Sequence, residues 1–199
     1  MHPANACLAV IALIALPASC KVSMIDLTAD DIAKKCTEEG PSCASRAMKG
    51  ECYGSDVRNK GIRKFCSCAC DMVYYARIQN CCRTVGEEGM EHCLPLCRYN
   101  TTIRELTTPL GFKCVTQLSV WAYCVQDGQR DEGEVCCRKR GVPERCLSFC
   151  RGDVPTCDIK RIFDYQPCLK HMRKIQRCAR KGVQKEPRYD PNWRPECIY

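Results

Sequence analysis

The chain has 199 residues, 22 of them cysteine, and a formal net charge of +8. Cysteine at about one residue in nine exceeds the roughly 8–10% that marks a disulfide scaffold, which points away from the reducing cytosol. Aromatic residues are 7% of the chain and charged residues 27%, so the apolar core is thin and cross-links must carry part of the stability.

The first element in chain order is an apolar run from Cys7 to Ala18, followed by the small residues Ala18, Ser19 and Cys20. It reads as a secretory signal over residues 1–20, although no Lys or Arg precedes the run. It is too short to span a bilayer, which takes ~20 apolar residues. Cleavage after Cys20 removes Cys7 and Cys20 and leaves an even number of thiols. No later segment is apolar enough to cross a membrane, so the mature chain is expected to be extracellular, without a transmembrane segment. Nucleic acid is then a poor partner for its positive charge, whereas sulfated glycans and anionic surfaces fit.

After a short lead-in, a first module over residues 34–71 holds Cys36, Cys43, Cys52, Cys66, Cys68 and Cys70. The Cys66-x-Cys68-x-Cys70 run has the look of a thiolate metal site. An oxidising compartment, an even cysteine count and the lack of a nearby histidine favour disulfides instead. No metal and no cofactor is expected.

Residues 76–182 contain one cysteine pattern twice. Cys81, Cys82, Cys93, Cys97, Cys114 and Cys124 recur as Cys136, Cys137, Cys146, Cys150, Cys168 and Cys178, each 53 to 55 residues downstream. Such regularity signals a duplicated structural unit. Cys93 and Cys97, like Cys146 and Cys150, are four apart, a spacing that places both thiols on one helical face. Pro143 suits a first helical turn, while Pro95 obliges its helix to start late or bend. Longer helices are predicted over Cys114–Cys124 and Cys168–Cys178, stopped by Gly128 and Gly182. In the first of these, Val115, Leu118, Trp121, Ala122 and Val125 form one apolar face. Neighbouring cysteines rarely bond each other, so each doublet is expected to tie two different partners. A proline-rich tail, residues 183–199, follows. Cys157 and Cys197 fall outside both patterns; by elimination they are candidates to pair and pin the tail to the second copy. The fold class is therefore small, disulfide-rich and mostly α: a tandem-repeat helical domain preceded by a six-cysteine module.

The segments Asn80–Asn100 (NCCRTVGEEGMEHCLPLCRYN) and Cys136–Cys150 (CCRKRGVPERCLSFC) resemble the nematode DB module, a secreted cysteine-rich domain with no assigned activity. The resemblance covers slightly more than half the chain and implies location and style of fold, not mechanism. The doublets are also similar, in fold only, to the helical domains of the glial neurotrophic-factor receptor alpha chains. The first module resembles the ShKT domain, with Cys43–Cys52 (CASRAMKGEC) closest to that family's middle segment. It departs in the tight spacing of Cys66, Cys68 and Cys70. Channel-blocking ShKT members carry adjacent Lys and Tyr before the fourth cysteine. Here Lys64 and Phe65 stand nearest that position, and Phe65, beside Cys66, is expected to be buried.

No nucleophile elbow, phosphate loop or dinucleotide fingerprint is present, and His92 and His171 stand alone, so no enzyme is expected and no catalytic residue is assigned. Arg151, Gly152 and Asp153 spell an integrin-type word, whose ordinary alternative is a polar turn. Lys170, Arg173, Lys174, Arg177 and Lys181 share one helical face, either a solvated surface or a polyanion site. Arg138–Arg140 reads as a basic helix face more readily than as a processing site. Asn100-Thr101-Thr102 is a glycosylation sequon. The expected role is a non-catalytic extracellular binding or structural protein, its partner an unidentified protein or receptor. The alternatives are a channel or receptor effector acting through the first module, and glycosaminoglycan binding through the basic face.

Overall fold

A computed structural model describes residues 27–54, 56–128, 130–154 and 163–195. Its described residues form helices and turns, with no strand. The segment expected to be a secretory signal, Cys157 and Cys197 lie outside them.

The first module contributes α1 (Ala29–Lys35), α2 (Ser42–Met48) and α3 (Val57–Phe65). Thr28 starts α1 by a reciprocal capping box: its hydroxyl accepts from the Asp31 amide while its own amide donates to the Asp31 carboxylate. Asp56 caps α3 in the simpler way, accepting from the Asn59 amide at 2.8 Å. Next comes α4 (Ser67–Val85), whose 19 residues run without a break from the first module into the first doublet. The Glu39 carboxylate accepts from the amides of Cys68 and Ala69, at 2.6 and 3.1 Å, satisfying free donors at the positive end of α4. Cys70, Val73, Tyr74, Arg77, Ile78, Cys81 and Val85 are buried along α4 at helical spacing.

The first copy continues with α5 (Met90–Cys93), α6 (Ile103–Leu106), α7 (Pro109–Cys114) and α8 (Leu118–Val125). The second has α9 (Asp131–Lys139), α10 (Ser148–Arg151) and α11 (Met172–Gly182). Nine disulfides join described residues. Cys81–Cys124, Cys82–Cys97 and Cys93–Cys114 in the first copy correspond one for one to Cys136–Cys178, Cys137–Cys150 and Cys146–Cys168 in the second. Each doublet does tie two different partners. The first module crosses differently, as Cys36–Cys68, Cys43–Cys66 and Cys52–Cys70, so all three thiols of the tight run are oxidised.

Several expectations need correction. Cys93 and Cys97 do not share a helix: α5 ends at Cys93, and a 3-10 turn over Leu94–Leu96 carries the chain to Cys97. Pro95 has no amide hydrogen to continue the α pattern. Cys146 and Cys150 are likewise split between a 3-10 turn, Glu144–Cys146, and α10, and each thiol reaches its own partner. The third concerns the glycine stops. Gly128 ends the α8 segment in a left-handed conformation, φ 93°, with its amide donating to the Tyr123 carbonyl. Gly182 is simply the last residue of α11, and a side chain there would run into the Arg130 guanidinium.

The predicted longer helices are each broken. α7 and α8 are joined by a 3-10 turn, Val115–Gln117, and α11 is preceded by another, Phe163–His171. Buried side chains gather into three clusters, one per module and copy. The clusters share members with the tail: Val183 joins the first module's core, while Tyr189 and Trp193 pack on the first copy's.

Candidate functional site

Two features dominate the interior, one polar and one apolar. The polar one is built around Arg77 on α4. Its guanidinium donates to both Asp127 carboxylate oxygens, the Nη2 distances being 2.9 and 2.8 Å. It also donates to the backbone carbonyls of Gln184, Lys185 and Glu186 at 2.7–3.1 Å, and lies 5.0 Å from the Tyr53 ring centroid. One side chain thus joins the first module, the first copy and the tail. Asp127 follows α8 at φ 60°, a left-handed conformation uncommon for any residue but glycine. Burial pushes its carboxyl above the usual carboxylate range, outweighing the opposite pull of Arg77.

Arg130 is a second buried cation, donating to the Gln126 side chain and the Ala179 carbonyl. Burial lowers it to about 10, with Arg188 adding repulsion. Arg180 of the second copy reaches Asp71 on α4 at 2.7 Å and faces the rings of Tyr74 and Tyr99. These charges hold the parts together from inside the fold.

The apolar feature is a cavity of about 310 Å³ between the two copies. The first copy supplies Leu96, Val115 and Trp121, and the second supplies Phe149, Tyr165 and Met172. Cys93, Cys97 and Cys114 form part of the wall, so two disulfides brace it. Among the described residues, none that lines it is charged. Trp121 Nε1 donates to the Arg98 carbonyl and the Thr101 hydroxyl donates to the Leu96 carbonyl. By contrast, Oε1 of Gln117, a residue 7% exposed, has no hydrogen-bond partner. Phe112 and Phe163 also line the cavity and remain more than half exposed. Of the apolar face seen in the sequence, Val115, Leu118 and Trp121 line this space, while Ala122 and Val125 are buried in the core. The cavity itself carries no sequence signature, because its walls come from short turns of two distant segments.

The remaining candidates sit on the surface. Arg151 and Asp153 pair with each other at 2.7 Å, and Arg151 also pairs with Glu134. Gly152 between them is buried as the left-handed end of α10. The triplet is therefore folded on itself, not held with its two charges reaching apart. Phe65, expected to be buried, is 74% exposed, and the Lys64 ammonium lies 5.9 Å from its ring centroid. Arg138 is taken up by Glu134 and Glu144 on the surface of α9. Asn100 is exposed in a turn.

Lys170 precedes α11, and Arg173, Lys174, Arg177 and Lys181 lie along it, opposite its buried Met172, Ile175 and Ala179. Among the described residues none of these five cations is in a salt bridge. Lys174 makes one long hydrogen bond, 3.4 Å, to the Gly141 carbonyl. Partial burial, and after it the charges of Lys174, Lys170 and Arg145, push the His171 imidazole below its usual value. His92 is exposed and isolated from this face.

In a comparison with known families, the family model of the DB module matches residues 81–179. This chain carries a DB module. No curated protein and no solved structure matches the chain. The matched stretch begins at the first doublet and so excludes most of α4, Arg77 included, and all of the tail. The clamp that ties the DB module to its flanks is thus formed partly by residues outside it.

Proposed function

We propose that this protein is a secreted, non-catalytic binding protein, in which a cross-linked helical scaffold holds a polyanion-binding surface on α11. The observation that supports this reading is the contrast in charge use. Arg77, Arg130, Arg138, Arg151 and Arg180 are engaged inside the fold or with neighbouring carboxylates, whereas the five cations of the α11 face are not ion-paired. Cys136–Cys178 fixes this helix to α9, so little ordering is lost when a partner docks. Sulfated glycosaminoglycan is the partner whose chemistry suits such a stripe. A glycan on Asn100 would sit in the exposed turn of the first copy.

On immobilised heparin the folded protein should elute only above physiological salt. Serine at Lys170, Arg173, Lys174 and Arg177 together should bring elution down to physiological salt or lower, because exposed charge pairing is screened there. Elution of the unaltered protein at physiological salt would remove the glycan reading.

A second reading, an effector of a channel or receptor acting through the ShKT-like first module, is favoured by one observation: Lys64 and Phe65 project together. Potassium currents recorded under voltage clamp should fall when the full protein is applied. Replacing both residues by alanine should restore them. Currents unchanged at micromolar protein would end this reading.

A further inference from the structure

The two most exposed large apolar side chains among the described residues are Val57, at 83%, and Phe65, at 74%. They are the first and last residues of α3, about 12 Å apart along its axis. At about 100° per residue, Val57, Gly61 and Lys64 fall along one line of the helix, with Lys60 and Phe65 on either side, and all turn away from the buried Ile62. Gly61 leaves the middle of this face flat, with nothing within 4 Å of where a side chain would begin. Among the described residues Lys60 and Lys64 are in no salt bridge. Arg58 comes only to 3.9 Å of Glu51, a carboxylate that Arg46 already holds at 2.8 Å. Cys66, which ends the helix, is bonded to Cys43, so the face is in place before any partner arrives.

Two apolar side chains set apart by lysines do not make the continuous apolar centre of a protein interface. They suit the boundary of a bilayer. There each apolar side chain can enter the acyl region singly, while lysine stems reach back to the head groups. The nine residues of α3 include four cations and no carboxylate, a balance that selects anionic head groups. We infer that α3 is a docking face for an anionic phospholipid surface, lying in its plane with Val57 and Phe65 inserted and Arg58, Lys60 and Lys64 among the head groups. This surface is separate from the α11 stripe and calls for no channel.

The full disulfide-bonded protein should co-sediment with vesicles of equal parts phosphatidylcholine and phosphatidylserine, and not with vesicles of phosphatidylcholine alone. Val57→Ser with Phe65→Ser should weaken that binding about tenfold or more, as withdrawing a large apolar side chain from hydrocarbon requires. Lys60→Ser with Lys64→Ser should weaken it by a similar factor, about fivefold for each cation. The quadruple serine variant of α11 should keep most of it. Phe65→Trp should gain emission that lipids brominated on their acyl chains quench, beyond any quenching of the unaltered protein. Failure to sediment with the mixed vesicles, or equal sedimentation with both kinds, overturns the docking face. So does a loss confined to the α11 variant, which would move the lipid to that stripe. Phe65→Trp emission that brominated chains leave untouched overturns the insertion.

Discussion

Arg77→Met should destabilise the folded protein by about 3–5 kcal/mol, the range for removing one partner of a buried ion pair. The loss has three sources. The Asp127 carboxylate is left buried without its main counter-ion, three tail carbonyls lose their donor, and Tyr53 loses the cation beside its ring. The effect should appear first at the tail, because Trp193 is stacked on Tyr123 at 3.9 Å and its emission reports docking. In denaturant without reductant, the variant should release Trp193 at lower concentration than the unaltered protein. Far-UV dichroism should persist longer. Asp127→Asn should cost less, since asparagine tolerates the left-handed backbone and keeps an acceptor for Arg77. Combining the two changes should recover part of the Arg77→Met loss by removing the stranded charge.

The pH dependence of Arg77→Met has a definite sign. Burial already raises the Asp127 carboxyl, and loss of the guanidinium takes away the largest opposing influence. A carboxyl raised by folding favours the folded state below its unfolded value, ~3.9, and that contribution is lost as pH climbs through the folded value. The variant should therefore lie closest to the unaltered protein in acid and furthest from it at neutral pH. Coincident unfolding midpoints at neutral pH would show that Arg77 does not hold the tail.

Removing a disulfide from either copy should cost about 3 kcal/mol, and the long-range bridge should cost no more than the short-range one. Taken alone, Cys81–Cys124 spans 43 residues and Cys82–Cys97 spans 15. The loop-entropy account would then give ~4 against ~3 kcal/mol. The other bridges shorten the longer loop. From Cys81 the covalent path goes one residue to Cys82, across to Cys97, four residues back to Cys93, across to Cys114, and ten residues on to Cys124. This circuit is about as long as the loop that Cys82–Cys97 closes. The second copy has the same one-, four- and ten-residue steps along this circuit. Alanine pairs at Cys81/Cys124 and Cys82/Cys97, and at their counterparts, should thus lower stability alike. A long-range bridge worth ~1 kcal/mol more than its neighbour would show that the loops act independently.

Helical character, duplication and the division of each doublet between two partners were legible in cysteine spacing. The particular pairing was not, since spacing alone admits many connectivities. The faces of α11 could be read because basic and apolar residues alternate at the helical period over three turns. α4 could not be read as one helix, since Cys66, Cys68 and Cys70 look like the end of one module and Cys81-Cys82 like the start of another. Nothing local marks Arg77 and Asp127 as partners: they are 50 residues apart, and their pairing exists only once the tail and the first module close around them. Phe65 was misplaced by assuming that a neighbour of a buried cysteine is itself buried. Phe65 is the last residue of α3, and Cys66 follows it with a non-helical backbone that turns its thiol inward while Phe65 turns out.

The bridge pattern also sets how the molecule would behave under tension. A pull applied along the chain enters at Cys36, crosses to Cys68, and leaves the first module at Cys70. It then jumps from Cys81 to Cys124 and from Cys136 to Cys178. Nearly all the contour length inside the modules is bypassed. The extensible parts are the spacers 71–80 and 125–135 and the tail, and these carry Arg77, Asp127 and Arg130. The protein would act as a short tether with little stretch, its give confined to the segments that its buried arginines hold closed.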